Sequence, residues 1–194
     1  MVWINNKYET ASGADDNLTT TGMTASEFNI FMTHIIPSGT VDIDMTFNND
    51  TTAKYSKRVN YNGQSTDATD EDLNNAQLSN NVTVPQFNIT IACNFATNNK
   101  LFWSKQVRAG TDGAGNPPDR FNFIGKWENT SQITEVDIDN SESGDYAQYS
   151  NLSCLGDGGT KTSDLANIQT NSIFETSDTG DHYLWNGTAW VQVA

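Results

Sequence analysis

Four acidic residues at short intervals carry the most explicit chemistry in this chain. Asp137-Ile138-Asp139-Asn140-Ser141-Glu142-Ser143-Gly144-Asp145 places oxygen donors at alternating positions in a glycine-containing segment. Such a set suits a hard cation such as Ca²⁺, which is held by carboxylate and carbonyl oxygens. Asp137, Asp139, Glu142 and Asp145 are the candidate ligands. The glycine stands elsewhere than in an EF-hand loop and the distal glutamate is missing, so the plain alternative is a solvated turn after a strand. Asp42 and Asp44 form another carboxylate pair. Their alternation with apolar neighbours assigns them to a solvated sheet face rather than to a glycosidase acid–base pair. His34 and His182 are the only histidines, the first in an apolar strand pattern and the second at the start of a hairpin pattern. No Gly-x-Ser-x-Gly elbow, His-Glu-x-x-His motif or glycine-rich phosphate loop occurs. No catalytic residue is assigned, and the expectation is a protein that binds or builds rather than an enzyme.

Aromatic side chains offer a different chemistry, stacking on sugar rings or docking on protein. In His182-Tyr183-Leu184-Trp185-Asn186-Gly187-Thr188-Ala189-Trp190-Val191, Asn-Gly separates two strand-like runs. That pair favours a two-residue type I′ turn, because both central positions need positive φ. Trp185 would then face Thr188, Tyr183 would face Trp190, and Tyr183, Trp185 and Trp190 would share one face. These three are the candidate binding residues. Trp103 and Trp127 lie within strand patterns and are expected in the core.

The elements that must position these groups are strands. Val41-Asp42-Ile43-Asp44-Met45-Thr46-Phe47 alternates apolar and polar residues strictly. Phe87, Ile89, Ile91, Cys93 and Phe95 alternate in the same way with Asn88, Thr90 and Asn94. This is the period of a half-buried strand. Leu101, Trp103 and Val107, then Phe121, Phe123 and Trp127, extend the pattern, and shorter strands are expected at 28–36, 55–61, 134–138 and 151–155. Turn signals such as Pro37-Ser38-Gly39, Asn48-Asn49-Asp50 and Tyr61-Asn62-Gly63 separate them. A single helical turn is allowed only at 70–78. Many short strands in one domain predict an all-β fold, an antiparallel β-sandwich of jelly-roll type with a small C-terminal β-hairpin. An up-and-down barrel is the alternative. The expected divisions are an N-terminal segment at 1–27, the sandwich at 28–156, a glycine-rich linker at 157–171 and the hairpin module at 172–194.

Composition bounds the partners. The 194 residues carry 24 Asp and Glu against 10 Lys and Arg, a net charge of −14. That field repels phosphate backbones and anionic lipid, which argues against nucleic-acid partners and membrane insertion. The polar bulk is Asn, Thr, Ser and Gly, which favour turns and sheet surfaces over helices. No basic segment followed by an apolar stretch opens the sequence, so synthesis in a cytoplasm is expected, with Cys93 and Cys154 as free thiols and a single disulfide between neighbouring strands as the alternative.

One set of segments, taken in order, is informative. Phe47-Asn48-Asn49-Asp50 is followed by Tyr55-Ser56-Lys57-Arg58, then by Gly125-Lys126-Trp127-Glu128-Asn129-Thr130, Ile133-Thr134-Glu135-Val136-Asp137-Ile138 and Gly144-Asp145-Tyr146. The series resembles a family of small β-rich structural proteins of tailed bacteriophages and related viruses. Residues 183–190 are similar to a short module of phage tail and fibre proteins. The resemblance spans about residues 28–192, covers 1–27 poorly, and implies a sandwich fold at a virion surface, on a tail, a fibre or the capsid. It carries over no catalytic or binding residues. It implies as partners other virion proteins and further copies of the chain; as long polar connections on a rigid scaffold, the segments at 64–80 and 110–118 are expected to meet a host glycan or protein. The alternatives are a carbohydrate-binding module and a cell-surface structural protein.

Overall fold

A computed structural model describes residues 3–110, 113–157, 173–175, 182–188 and 190–193. The chain divides into two compact units, Met1–Asp157 and Gly158–Ala194. Twelve strands build the first: β1 (Trp3–Thr10), β2 (Asn17–Thr20), β3 (Phe28–Ile35), β4 (Val41–Phe47), β5 (Tyr55–Tyr61), β6 (Ala68–Leu73), β7 (Ala76–Val82), β8 (Gln86–Cys93), β9 (Lys100–Arg108), β10 (Asp119–Trp127), β11 (Val136–Asp139) and β12 (Asn151–Asp157). They pair antiparallel in two sheets, an eight-stranded one ordered β1-β12-β3-β8-β9-β10-β5-β6 and a four-stranded one ordered β2-β11-β4-β7. The all-β antiparallel architecture is as the alternation predicts, although eight plus four strands depart from the eight-stranded jelly roll. Residues 1–27 are not a separate segment, since β1 joins the large sheet and β2 the small one. Residues 70–78 form parts of β6 and β7 instead of a helical turn.

The core lies where the small sheet covers the large one. Val41, Ile43, Met45 and Phe47 from β4, with Val136 and Ile138 from β11, are fully buried. Phe47 meets Phe31, Phe102 and Trp127 of the large sheet at ring-centroid distances of 5.7, 5.7 and 5.5 Å. Gly125 is what lets Phe102 lie flat there. The two are register partners on β10 and β9, and a Cβ at Gly125 would stand 2.0 Å from the Phe102 ring.

The segments at 47–50, 125–130, 133–138 and 144–146 form joints of this sandwich. Asp50 Oδ2 accepts from Trp127 Nε1 at 3.0 Å and from Asn129 Nδ2 at 3.3 Å, tying the β4–β5 turn to the end of β10. Asn48, in a left-handed conformation (φ 52°), accepts from the Thr134 and Glu135 amides and donates to the Gln132 carbonyl. Gly144 packs so close to Gly39 and Thr40 that a Cβ would meet their backbones at 2.6–2.7 Å. Beside it Tyr146, wholly buried, donates to the Asp42 carbonyl at 2.7 Å.

The second unit contains a three-stranded antiparallel sheet, β13 (Ile173–Glu175), β14 (His182–Trp185) and β15 (Trp190–Val193), in that order. The expected hairpin thus has a third strand. The expected linker at 157–171 begins with the last residue of β12, and its remainder lies outside the described residues.

Candidate functional site

Alternation alone does not say which side of a strand is inside, and on β8 and β9 the assignment is unusual. The polar set points into the sandwich: Gln86, Asn88, Thr90, Ser104 and Gln106 are all at most 2% exposed. They bond to one another, Ser104 Oγ to Asn88 Oδ1 at 2.7 Å, Thr90 Oγ1 to Ser104 Oγ at 3.0 Å and Gln106 Nε2 to Gln86 Oε1 at 2.7 Å. Mutual hydrogen bonding offsets much of the cost of desolvating these groups. The apolar set points outward. Cross-strand register aligns Ile124, Trp103, Ile91, Ile30 and Leu155 in one row across β10, β9, β8, β3 and β12. Leu101 at 57% exposure, Ile124 at 60% and Phe87 at 43% make this a broad apolar face open to solvent. Trp103, expected in the core, stands on it at 41% exposure, with Lys105 Nζ 4.9 Å from its ring, whereas Trp127 is buried as expected.

The acidic candidates are arranged differently from a cation site. Asp137 and Asp139 sit on β11, on the side of the small sheet away from the core, beside Thr46 and Asp44 of β4. Asp137 Oδ2 accepts from Thr46, and Asp139 Oδ1 accepts from Asn17 Nδ2 at 2.5 Å. Glu142 meets Asn140 through its own backbone, and Asp145 lies against Ser38. Asn140 organises the turn: it accepts from the Asp42 and Glu142 amides and donates to Gly144 O and Asp16. Among the described residues no three His, Cys, Asp or Glu side chains converge as ligands would. The Asn140 amide thus holds together the turn that contains Glu142 and Gly144.

Asp42 is not solvated as its alternation implies. It is 4% exposed, accepting from the Asn81 amide at 2.7 Å and from Ser141 Oγ at 3.2 Å. Burial, with the nearby Asp42 carboxylate, pushes the Asp44 carboxyl up to about 6.

In the second unit Asn186 Oδ1 accepts from both the amide and the hydroxyl of Thr188 at 2.9 Å, and Gly187 takes φ 98°. This Asx-type turn lengthens the connection to four residues, so Trp185 pairs with Trp190 and Tyr183 with Gln192. The expected partners were Thr188 for Trp185 and Trp190 for Tyr183. Because the shift is even, positions 183, 185 and 190 keep the same parity. Tyr183 and Trp185 are half-buried, while the Trp190 side chain lies outside the described residues.

A polar cleft of about 420 Å³ lies at the 110–118 loop, one of the two expected receptor segments. Arg108 Nε pairs with Asp119 Oδ2 at 2.9 Å and its guanidinium covers the Phe121 ring at 4.7 Å. Asp119 Oδ1 accepts from Tyr61 Oη and Asn62 Nδ2. These hydrogen bonds, Tyr61 first, and Arg108 hold the Asp119 carboxyl down at about 2, so it is a fixed anion and not a proton donor. The other segment, 64–80, is mostly strand. Cys93 and Cys154 are free. They occupy opposite faces of the large sheet by parity, and burial pushes the Cys154 thiol up to about 11.

No family model, curated protein or solved structure matches this chain.

Proposed function

We propose that this chain is a structural component of a virus particle, a non-enzymatic β-sandwich displayed on a tail, fibre or capsid. The observation that carries this reading is the open apolar face of the eight-stranded sheet. Contiguous exposed apolar surface of this kind marks an interaction site. The particle assignment itself comes from the ordered series of segments set out in the sequence, whose residues form hydrogen-bonded joints of the sandwich. Repetition would then strengthen weak contacts with a host surface, because linked copies bind at high effective concentration. Purified particles tell the readings apart. Mass spectrometry should find the chain at many copies per particle and immunogold should label the particle surface. A chain recovered only from the soluble host fraction would refute the proposal.

Carbohydrate binding by the second unit is a further reading, favoured by the half-buried Tyr183 and Trp185 beside the Trp190 position. It predicts monovalent glycan affinity that Trp185→Ala abolishes; an array with no hits would dismiss it.

A further inference from the structure

We infer that the outer face of the eight-stranded sheet is the docking surface for a second copy of this chain, sheet on sheet. The inference rests on reading that face as an assembly surface, but it holds or fails in solution, independently of any particle.

Size is the first argument. Five strands, β12, β3, β8, β9 and β10, at about 4.8 Å spacing, with four outward rows each, cover roughly 600 Å². Two such faces together remove roughly 1,200 Å² or more from water, enough for a specific interface. A flat pleated surface is also best matched by another sheet, whose side chains interdigitate at about 10 Å separation.

Charge decides that the partner is a copy. In a chain of net charge −14, the rows across these five strands hold no Asp or Glu until Asp157 at the margin. Their cations lie on one side, Arg120 and Lys126 on β10 and Lys105 on β9; Arg58 on the adjoining β5 is already paired with Asp67 at 3.8 Å. At the opposite margin stand Asp157, ending β12, and the exposed Glu27 before β3; Asp157 Oδ1 accepts from the Glu27 amide. Lys126 and Phe28 share a row, so Lys126 and Glu27 lie at the same end of the strands on opposite sides of the face. A two-fold axis running along the strands between them brings the cationic side of each copy over the acidic margin of the other. The commonest symmetric dimer is of this kind, one patch meeting itself.

Sedimentation of the full chain across 1–100 μM, run at low and high salt, tests this. Wild type should move at twice the 21.3 kDa mass. Ile124→Glu and Leu101→Glu, both at exposed positions, should sediment as monomers with unchanged circular dichroism. Lys126→Glu should weaken association at least tenfold, and adding Glu27→Lys should restore it. Wild type monomeric at 100 μM would overturn the inference, as would a dimer indifferent to Ile124→Glu and Leu101→Glu. A monomeric wild type whose face is covered only within particles would assign the surface to a different protein, and so also overturn it.

Discussion

Asp50 receives hydrogen bonds from Trp127, Asn129 and Thr52 while standing next to the aromatic core. Burial alone would raise its carboxyl, but the hydrogen bonds from Thr52, Trp127 and Asn129 outweigh it and hold the group well below the usual carboxylate range. Asp50→Ala leaves the buried indole N–H without its acceptor, so unfolding free energy should fall by roughly 1–3 kcal/mol in a urea titration. An unchanged midpoint would mean that the indole bond is not a joint. Asp44 has the opposite sign. Its carboxyl lies at about 6 in the fold against an ordinary 3.8, so the folded state binds the proton more tightly than the unfolded chain. Stability is therefore fully present below about 4 and declines as pH rises through about 6. Between pH 7 and pH 5 the wild-type melting temperature should rise relative to that of Asp44→Asn, in which the linkage is gone. Parallel pH profiles for the two proteins would contradict this.

Among the elements, β4 and β11 were legible in their apolar residues, which are inward, whereas the burial of Asp42 on the other side was not. The alternation of β8 and β9 was just as clear, yet it left the choice of face open. That choice depends on which side the small sheet covers and on whether the polar side chains can bond to each other, and neither is local information. Trp103 was misplaced for this reason, while the identical argument succeeded for Trp127. The acidic run 137–145 hides a different feature: a series of carboxylates says nothing about Asn140, whose amide fills the centre of the turn. The C-terminal register shifted because Asn186 bonds Thr188 instead of completing a type I′ turn, a competition that Asn-Gly permits. The Arg108–Asp119 pair was not found in advance, and the one available hint was the neighbouring polar loop. Gly125 gives an element-level test of layer packing. Gly125→Val drives a side chain into the Phe102 ring and should destabilise by roughly 1–3 kcal/mol. Phe102→Ala should relieve part of that cost in a double-mutant cycle, and strict additivity would show that the two sites do not touch.

At the scale of the first unit, the consequence is a sandwich in which β8 and β9 turn apolar side chains outward and a bonded polar row inward, beside the aromatic core. The edge strand β6 carries Asp70, Glu71 and Asp72, charges that discourage edge-to-edge pairing at that margin. Hydroxyl-radical footprinting of the full chain tests this orientation most directly, by comparing a dilute sample, a concentrated sample and the Ile124→Glu variant. The account predicts fast oxidation of Phe87, Leu101 and Trp103 in the variant and on dilution, protection of these residues in concentrated wild type, and constant protection of Phe47, Trp127 and Tyr146. Protection of Phe87, Leu101 and Trp103 under all three conditions would mean that this face is part of the interior, and would contradict the account.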